Sequence, residues 1–377
     1  MKVCIVTIID YKNYGNRLQN IALITILKNL GCEVINGLMV IYRQGAYNLS
    51  DTNENGLKAK LKMIIPWRAY KQHLKNQQMR KERNYDPIVQ NRIKSFKLFT
   101  DLYTKTFPTI YAKDEKDLCQ QINENSIDYY ISGSDQVWNP YYEAKEYEFL
   151  TFAPKEKRLS FAASIGVDSI PEEAKWYFKK NLTDMKYISV REERAAEIVR
   201  ELTGRTADVT LDPTLLLDKT DWECIAKKPE LYIEDKYICT YFLGEVPEAV
   251  LAFAKEKGLP VYALNSLDSP ELYILDPAEF LYMIQNASYV LTDSFHAVAF
   301  SVKFNKEFYV FDRREDGVSS MFSRIETITK RFGLENRIQN RDRICEQAPI
   351  SNWNEIEDEL VAEKKRSMGK LLEAMGI

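Results

Sequence analysis

Two histidines, His73 and His296, are all that the 377 residues contain, so an imidazole placed in a functional loop is a scarce event. The six cysteines (Cys4, Cys32, Cys119, Cys224, Cys239 and Cys345) are scattered, with no C-x-x-C pair and no metal-ligand spacing. That argues against a disulfide scaffold or a structural zinc site and fits reduced thiols in a cytoplasmic protein. No stretch approaches the roughly 18 apolar residues that a membrane-spanning helix needs. Gly-x-Gly-x-x-Gly and Gly-x-x-x-x-Gly-Lys-Ser/Thr are both missing, which disfavours a nicotinamide dehydrogenase and a P-loop NTPase. There is no internal repeat and no low-complexity tract. Met1 to Asp10 lacks the apolar length and small-residue cleavage site of a leader and reads as a first strand.

What is present is ordinary globular material: 45% hydrophobic, 12% aromatic and 28% charged residues. The length suits about two domains. Net charge is only −3, but it is unevenly spread. Between Lys58 and Lys97 twelve Lys or Arg face two acids, a net of +10 that leaves −13 for the rest of the chain. Such a segment is a solvated helical face or the footprint of an anionic partner. Met63, Ile64, Ile65 and Trp67 lie beside Lys62 and Arg68, and apolar anchors next to clustered cations suit an anionic bilayer surface. A peripheral membrane contact through 58–97 is therefore one expectation, and packing of the same apolar residues on the first lobe is the other. Nucleic acid is not an expected partner, because the acidic remainder would repel it. His73 lies within this segment and reads as surface.

Short apolar runs alternate with helical patterns almost throughout, the signature of parallel α/β sheets. Val3–Ile9 reads as a strand, followed by a polar loop and a helix that ends at Gly31. Strands are expected near Glu33–Ile35, Asp128–Ser132, Leu159–Ala163 and Tyr187–Val190, with helices over Pro171–Asn181 and Glu192–Leu202. Between Asp218 and Lys236 the pattern turns irregular and charged. The alternation then restarts with strands at Tyr237–Phe242, Val261–Ala263, Ser288–Thr292 and Phe308–Phe311, and helices at Pro247–Lys257, Ala278–Asn286 and Phe295–Phe304. The expected architecture is two Rossmann-like lobes facing a cleft, over 1–220 and 236–345. An amphipathic helix over 350–377 is expected to cross back to the first lobe.

Ligands of open parallel sheets bind beyond the carboxyl ends of the strands. Reading only those loops isolates Asn13–Asn20, Gly133–Asn139, Ser164–Gly166, Arg191–Glu193 and Asp293–His296. His296 follows Asp293 and Ser294, which suit a strand end and a helix N-cap. It falls in a first helical turn, where free N–H groups and the helix dipole favour an anion. A histidine there can exchange protons near neutrality; the competing reading is a hydrogen-bonded histidine at a helix start. Arg191, directly after a strand, is a candidate bidentate anion clamp or the partner of Glu192 or Glu193 in a local ion pair. Asp135, in a Gly-Ser-Asp turn, can orient a hydroxyl, act as a base, or simply serve the turn. Asp212-Pro-Thr214 reads as a structural strand-end turn.

Taken together, Tyr14–Asn20, Gly133–Pro140, Phe161–Gly166, Ile188–Glu193, Leu211–Thr214, Leu291–His296 and Ser320–Glu326 resemble the ordered motif series of the polysaccharide pyruvyl transferase family. The resemblance spans roughly residues 1 to 340. One departure is Ala297, where family members commonly have glycine after the motif histidine. The resemblance implies two lobes similar to the B-type glycosyltransferases and transfer of pyruvate from phosphoenolpyruvate to a sugar or lipid-linked glycan. It implies a ketal product, released phosphate, no required metal and no cofactor. It assigns proton transfer to His296, with Arg191 holding carboxylate or phosphate and Ser294 the phosphate. Asn16, Gln19, Asp135 and Trp138 would present the acceptor, Trp138 by stacking on the sugar. Gly133, Ser134, Ser164, Asp293 and Arg313 complete the expected substrate-binding set. A nucleotide-sugar glycosyltransferase and an inactive glycan-binding relative are the alternatives.

Overall fold

The structure is a computed structural model that describes residues 1–38, 86–104, 109–111, 126–142, 146–313 and 322–377, together with Asp117, Gln120, Gln121 and Glu124. Its first sheet is built from β1 (Lys2–Val6), β2 (Glu33–Leu38), β3 (Thr109–Tyr111), β4 (Tyr129–Ser132) and β5 (Arg158–Ser160) in the order β3-β2-β1-β4-β5. Every pairing is parallel, with Val3 opposite both Val34 and Tyr129. β1 is buried on both faces, as a central parallel strand must be. Isolated bridges from Leu159 to Tyr187 and from Ala163 to Val190 lead on to β6 (Ser189–Val190), which pairs with β7 (Asp208–Val209).

The second sheet has the order β12-β11-β10-β8-β9 and is again entirely parallel. Its strands are β8 (Ile238–Tyr241), β9 (Val261–Ala263), β10 (Tyr289–Thr292), β11 (Phe308–Phe311) and β12 (Ile338–Gln339). The chain order reverses between β1 and β4 in one sheet and between β8 and β10 in the other, which are the switch points where clefts open. The two Rossmann-like lobes are thus present as read from the sequence.

Element boundaries depart from expectation in a few places. The first strand ends at Val6 rather than Ile9, because Thr7 turns its hydroxyl onto Ser134 O (2.9 Å) and leaves the ladder. The irregular stretch after Asp218 contains the helix Lys219–Ile225, anchored by the fully buried Trp222. Pro87 opens the helix Pro87–Thr104, the first-turn position where its missing N–H costs nothing.

The lobes are joined by side chains that cross between them. Tyr14 stacks on Phe280 (4.3 Å between centroids, 14° between planes) and donates to Leu275 O (3.0 Å). Arg92 is fully buried. It donates to Lys12 O in the first lobe and to Leu264 O and Tyr273 O in the second, with its guanidinium 4.5 Å from the rings of both Tyr14 and Tyr273. This arginine, counted with the solvated cationic segment on sequence grounds, is an interlobe strut instead. Residues 58–85 of the cationic segment, with Met63, Ile64, Ile65, Trp67 and His73, lie outside the described residues. The helix Trp353–Met375 reaches both lobes, through Arg366 to Val209 O (2.5 Å) and Lys370 to Asp208, and through Glu363 to Arg331 (2.5 Å). Among the described residues no helix is long and apolar enough to cross a membrane.

Candidate functional site

The loops beyond β1, β4, β6, β7 and β10 converge on one polar centre, and Asp212 is its hub. Asp212 is fully buried, beyond β7 at the start of the short helix Pro213–Leu216. Oδ1 accepts from Thr214 N (3.0 Å) and Thr214 Oγ1 (2.8 Å), which is the turn role read from the sequence. Oδ2 does something else. It accepts from Ser134 Oγ (2.8 Å) beyond β4 and from Arg191 Nη1 (2.5 Å) beyond β6, and it lies 3.6 Å from His296 Nε2 in the opposite lobe. Burial opposes the charge, but His296 and Arg191 outweigh it and hold the Asp212 carboxyl well below the usual carboxylate range. Asp212 is therefore an acceptor at any working pH and cannot supply a proton.

Arg191 is not the partner of Glu192 or Glu193. Besides Asp212, it approaches Asp135 (3.9 Å), and its guanidinium lies 4.4 Å over the Phe295 ring. Its Nε and Nη2 are buried without hydrogen-bond partners. Asp135 adopts φ +78°, a left-handed conformation that non-glycine residues seldom take and that concentrates at sites where surrounding bonds over-determine it. Those bonds are present: Asn16 Nδ2 donates to Oδ2 (2.8 Å) and Gln136 N to Oδ1 (2.9 Å). Burial pushes the Asp135 carboxyl up, yet the charges of His296 and Arg191 and the Asn16 amide pull it below its ordinary value.

His296 is 5 % exposed, and its Nε2 has no hydrogen-bond partner. Its ring seats directly on Gly15. A methyl group on Gly15 would lie 1.9 Å from His296 Nδ1 and 2.0 Å from Cγ. Only glycine lets the start of the Tyr14–Asn29 helix approach the imidazole this closely. Gly15→Ala is expected to displace the ring and lower turnover by about 10², since a misplacement near 1 Å can cost that much. Activity measured beside an unchanged far-UV spectrum checks this; near-normal turnover would show that the ring position is not critical.

The remaining sequence-derived residues divide into those at the centre and those behind it. Asp293 ties down Leu243 N (2.7 Å) and Gly244 N (2.8 Å) and pairs with Arg313 Nε (3.3 Å). Ser294 stands at the N-cap of the helix Phe295–Lys303 without a side-chain cap bond. Gly133 packs against Thr7, and Ser164 donates to Glu192 Oε1 (3.0 Å). Asn16 spends its Oδ1 on Asp10 N and the Arg17 guanidinium, so it holds Asp135 rather than facing a ligand. Gln19 is wholly buried and donates to Thr7 Oγ1 (3.1 Å) and Asn16 O (3.0 Å). Trp138 corrects the expectation of a sugar-stacking ring. It is fully buried, parallel to Phe149 at 5.4 Å, with its N–H on Glu148 O (3.2 Å). Ala297 packs in the apolar core.

Arg324 is the residue that sequence reasoning passed over, although it stands in the quoted Ser320–Glu326 motif. It lies in the first turn of the helix Ser323–Arg331, 6 % exposed, with its Cζ 6.0 Å from the Phe295 ring. Among the described residues it makes no ion pair, and its buried Nε has no partner there. Burial and the like charge of Arg191 push its pKa down to about 10. Asp293, Asp312, Arg313, Phe322, Arg324 and Ile325 line a small cavity beside it. An unpaired, desolvated guanidinium is costly unless a ligand brings the counter-charge. Among the described residues no group of three or more His, Cys, Asp or Glu stands together to hold a metal.

Solved structures of similar shape include the UDP-GlcNAc 2-epimerase of Neisseria meningitidis bound to UDP-GlcNAc (10% identity over 99% of this chain and 100% of that one, TM-score 0.46). The ADP-heptose LPS heptosyltransferase II of E. coli is 9% identical over 97% of this chain and 100% of that one, with a TM-score of 0.36. UGT73P12 of Glycyrrhiza uralensis is 9% identical over 100% and 95% of the two chains, with a TM-score of 0.42. No curated protein matches the chain. The family model for polysaccharide pyruvyl transferase matches residues 13–315, a span that includes every loop gathered around Asp212, and the chain belongs to that family.

Proposed function

We propose that the chain transfers pyruvate from phosphoenolpyruvate to two hydroxyls of a sugar, free or lipid-linked, forming a ketal and releasing phosphate. The observation that carries this reading is the pair Arg191 and Arg324, two buried guanidiniums with unpartnered nitrogens, lying 4.4 Å and 6.0 Å from the ring of Phe295, the residue before His296. Phosphoenolpyruvate brings a carboxylate and a phosphate, the two anions that such a pair and the N-terminus of the helix Phe295–Lys303 can hold. Asp212 keeps Arg191 in place and faces the imidazole of His296.

In this reading His296 delivers a proton to the methylene carbon, which becomes the methyl group. The cationic centre left at the adjacent carbon is attacked by one sugar hydroxyl. Loss of phosphate regenerates a cationic centre, and the second hydroxyl closes the ketal. Of the two hydroxyl protons, one restores His296 and the other leaves on phosphate, so protons balance. Asp135, held anionic, is the group suited to relay the second of these protons from the hydroxyl to the departing phosphate.

The test is phosphate release from phosphoenolpyruvate across free and lipid-linked galactose, mannose and N-acetylhexosamine acceptors. Acceptor-dependent release is expected. Hydrolysis of nucleotide sugars without any phosphate release from phosphoenolpyruvate would overturn the reading.

A further inference from the structure

The helix Trp353–Met375 carries a buried carboxylate, Glu363, that the proposed chemistry leaves without a task. Two arginines converge on it. Arg366, one turn further along the same helix, grips it with both arms of its fork, Nε on Oε1 (2.6 Å) and Nη2 on Oε2 (2.7 Å). Arg331, the last residue of the helix Ser323–Arg331, brings Nη2 to the same Oε1 (2.5 Å) and donates from Nε to Glu359 (3.3 Å). Glu363 is the middle of an Arg–Glu–Arg triad.

Each end of the triad leads to the polar centre. Arg366 Nη2 also donates to Val209 O (2.5 Å), and Lys370 pairs with Asp208, so one helix holds both residues of β7. The chain runs from β7 directly to Asp212, and the same helix packs on Pro213–Leu216, which Asp212 caps. At the other end, Arg331 and Arg324 stand about two turns apart on one helix. Glu363 thereby closes a path from Asp212 and its Arg191 in the first lobe to Arg324 in the second. Stability does not explain this triad. Both arginines are partly exposed, so water and salt weaken the pairs. Apolar side chains can replace an Arg–Glu–Arg triad without loss of stability. What a two-pronged fork does fix is angle as well as distance.

We propose that Arg331, Glu363 and Arg366 form an interlobe spacer that sets the separation of Arg324 from Arg191, with Glu363 as a positioning residue for the donor seat. The inference rests on the pyruvyl-transfer reading only for its donor readout. A ligand with two anionic ends meets both guanidiniums at one spacing, and a misplacement near 1 Å is costly.

Arg331→Met cuts the path at its second-lobe end and leaves Glu363 paired with Arg366, so no buried charge is stranded. Arg331→Lys keeps a cation within reach of Glu363. A triple variant, Arg331→Met with Glu363→Leu and Arg366→Met, removes all three charges and keeps apolar packing. Three measurements on the full chain decide: thermal midpoint, phosphoenolpyruvate affinity by calorimetry, and the interlobe distance by pulsed electron paramagnetic resonance. Spin labels are carried by Trp176→Cys on the first-lobe helix Glu172–Thr183 and Leu251→Cys on the second-lobe helix Glu248–Lys257, both exposed positions, with Cys119, Cys224 and Cys345 changed to Ser. Arg331→Met and the triple variant are each expected to weaken phosphoenolpyruvate binding about tenfold, through loss of spacing. The two losses should be equal, because a path in series is cut only once, whereas independent contacts add. Both variants should broaden the distance distribution and keep the midpoint within a few degrees. Arg331→Lys should hold affinity within about threefold of wild type, with a single ammonium in place of the fork. An unchanged distance distribution in Arg331→Met overturns the proposal. So does a loss of affinity that Arg331→Lys shares in full, or one that comes only with a lowered midpoint. Wild-type protein that does not bind phosphoenolpyruvate sinks the donor reading and leaves the distances to decide: a broadened distribution still supports the spacer, and an unchanged one overturns it.

Discussion

His296→Ala should lower turnover by about 10² or more while the protein remains folded, the loss that removing a general acid–base group typically brings. The imidazole lies at the one place where both lobes press on it. Gly15 of the first lobe touches its ring, Phe295 stands edge-on to it at 5.2 Å, and the anionic Asp212 Oδ2 lies 3.6 Å from Nε2. That distance is too long for a hydrogen bond, so Nε2 is free to engage a ligand. A truncated side chain leaves a void beside Gly15, and a fall of a few degrees in thermal midpoint is expected with it. The two effects are separated by adding imidazole, which enters the void and restores part of the turnover without restoring the midpoint. A variant that keeps more than about half of wild-type turnover removes His296 from proton transfer.

How far this centre is legible in the sequence depends on the residue. Strand ends were legible because parallel strands buried on both faces are short apolar runs, and the loops after them carry the polar side chains. Asp212 was half legible. Asp-Pro-Thr is a turn signature, and Oδ1 does cap its turn. The other oxygen draws in Ser134, 78 positions away, and Arg191, and no local pattern encodes such a meeting. Trp138 was misread because a loop has no period to say which way a ring points. The left-handed φ at Asp135 begins a turn in which Val137 and Trp138 both go to the core. Arg92 was misread for a similar reason: charge counting treats twelve cations alike, and only the packing of Tyr14 and Tyr273 shows that one of them is an interlobe strut.

The same limit applies to Arg324, and it produces the second large effect. Arg324→Met should make the protein more stable and cripple its use of donor at the same time. A guanidinium that is 6 % exposed and makes no ion pair among the described residues raises the free energy of the folded state. The sign follows from linkage. Its pKa is pushed down to about 10 by burial and by Arg191, against an ordinary 12.5. The unfolded chain therefore holds this proton more tightly than the folded one. The cost is fully present below about pH 10 and is relieved only as pH rises from there towards 12.5. A shift of that size corresponds to roughly 3 kcal/mol. Methionine is of similar length and apolar, so the variant escapes the cost at every pH. Its thermal midpoint at pH 7 is expected to rise by several degrees. Donor affinity should fall about 10²-fold, because one of the two guanidiniums proposed to meet the anion is gone. Phosphoenolpyruvate should raise the midpoint of the wild type, through binding to the folded state alone, and leave that of Arg324→Met almost unmoved. Differential scanning fluorimetry with and without phosphoenolpyruvate reads both effects in one experiment. A variant that melts lower than wild type would mean that Arg324 is a structural group with a partner after all, and unchanged stabilisation by phosphoenolpyruvate would remove it from the donor site.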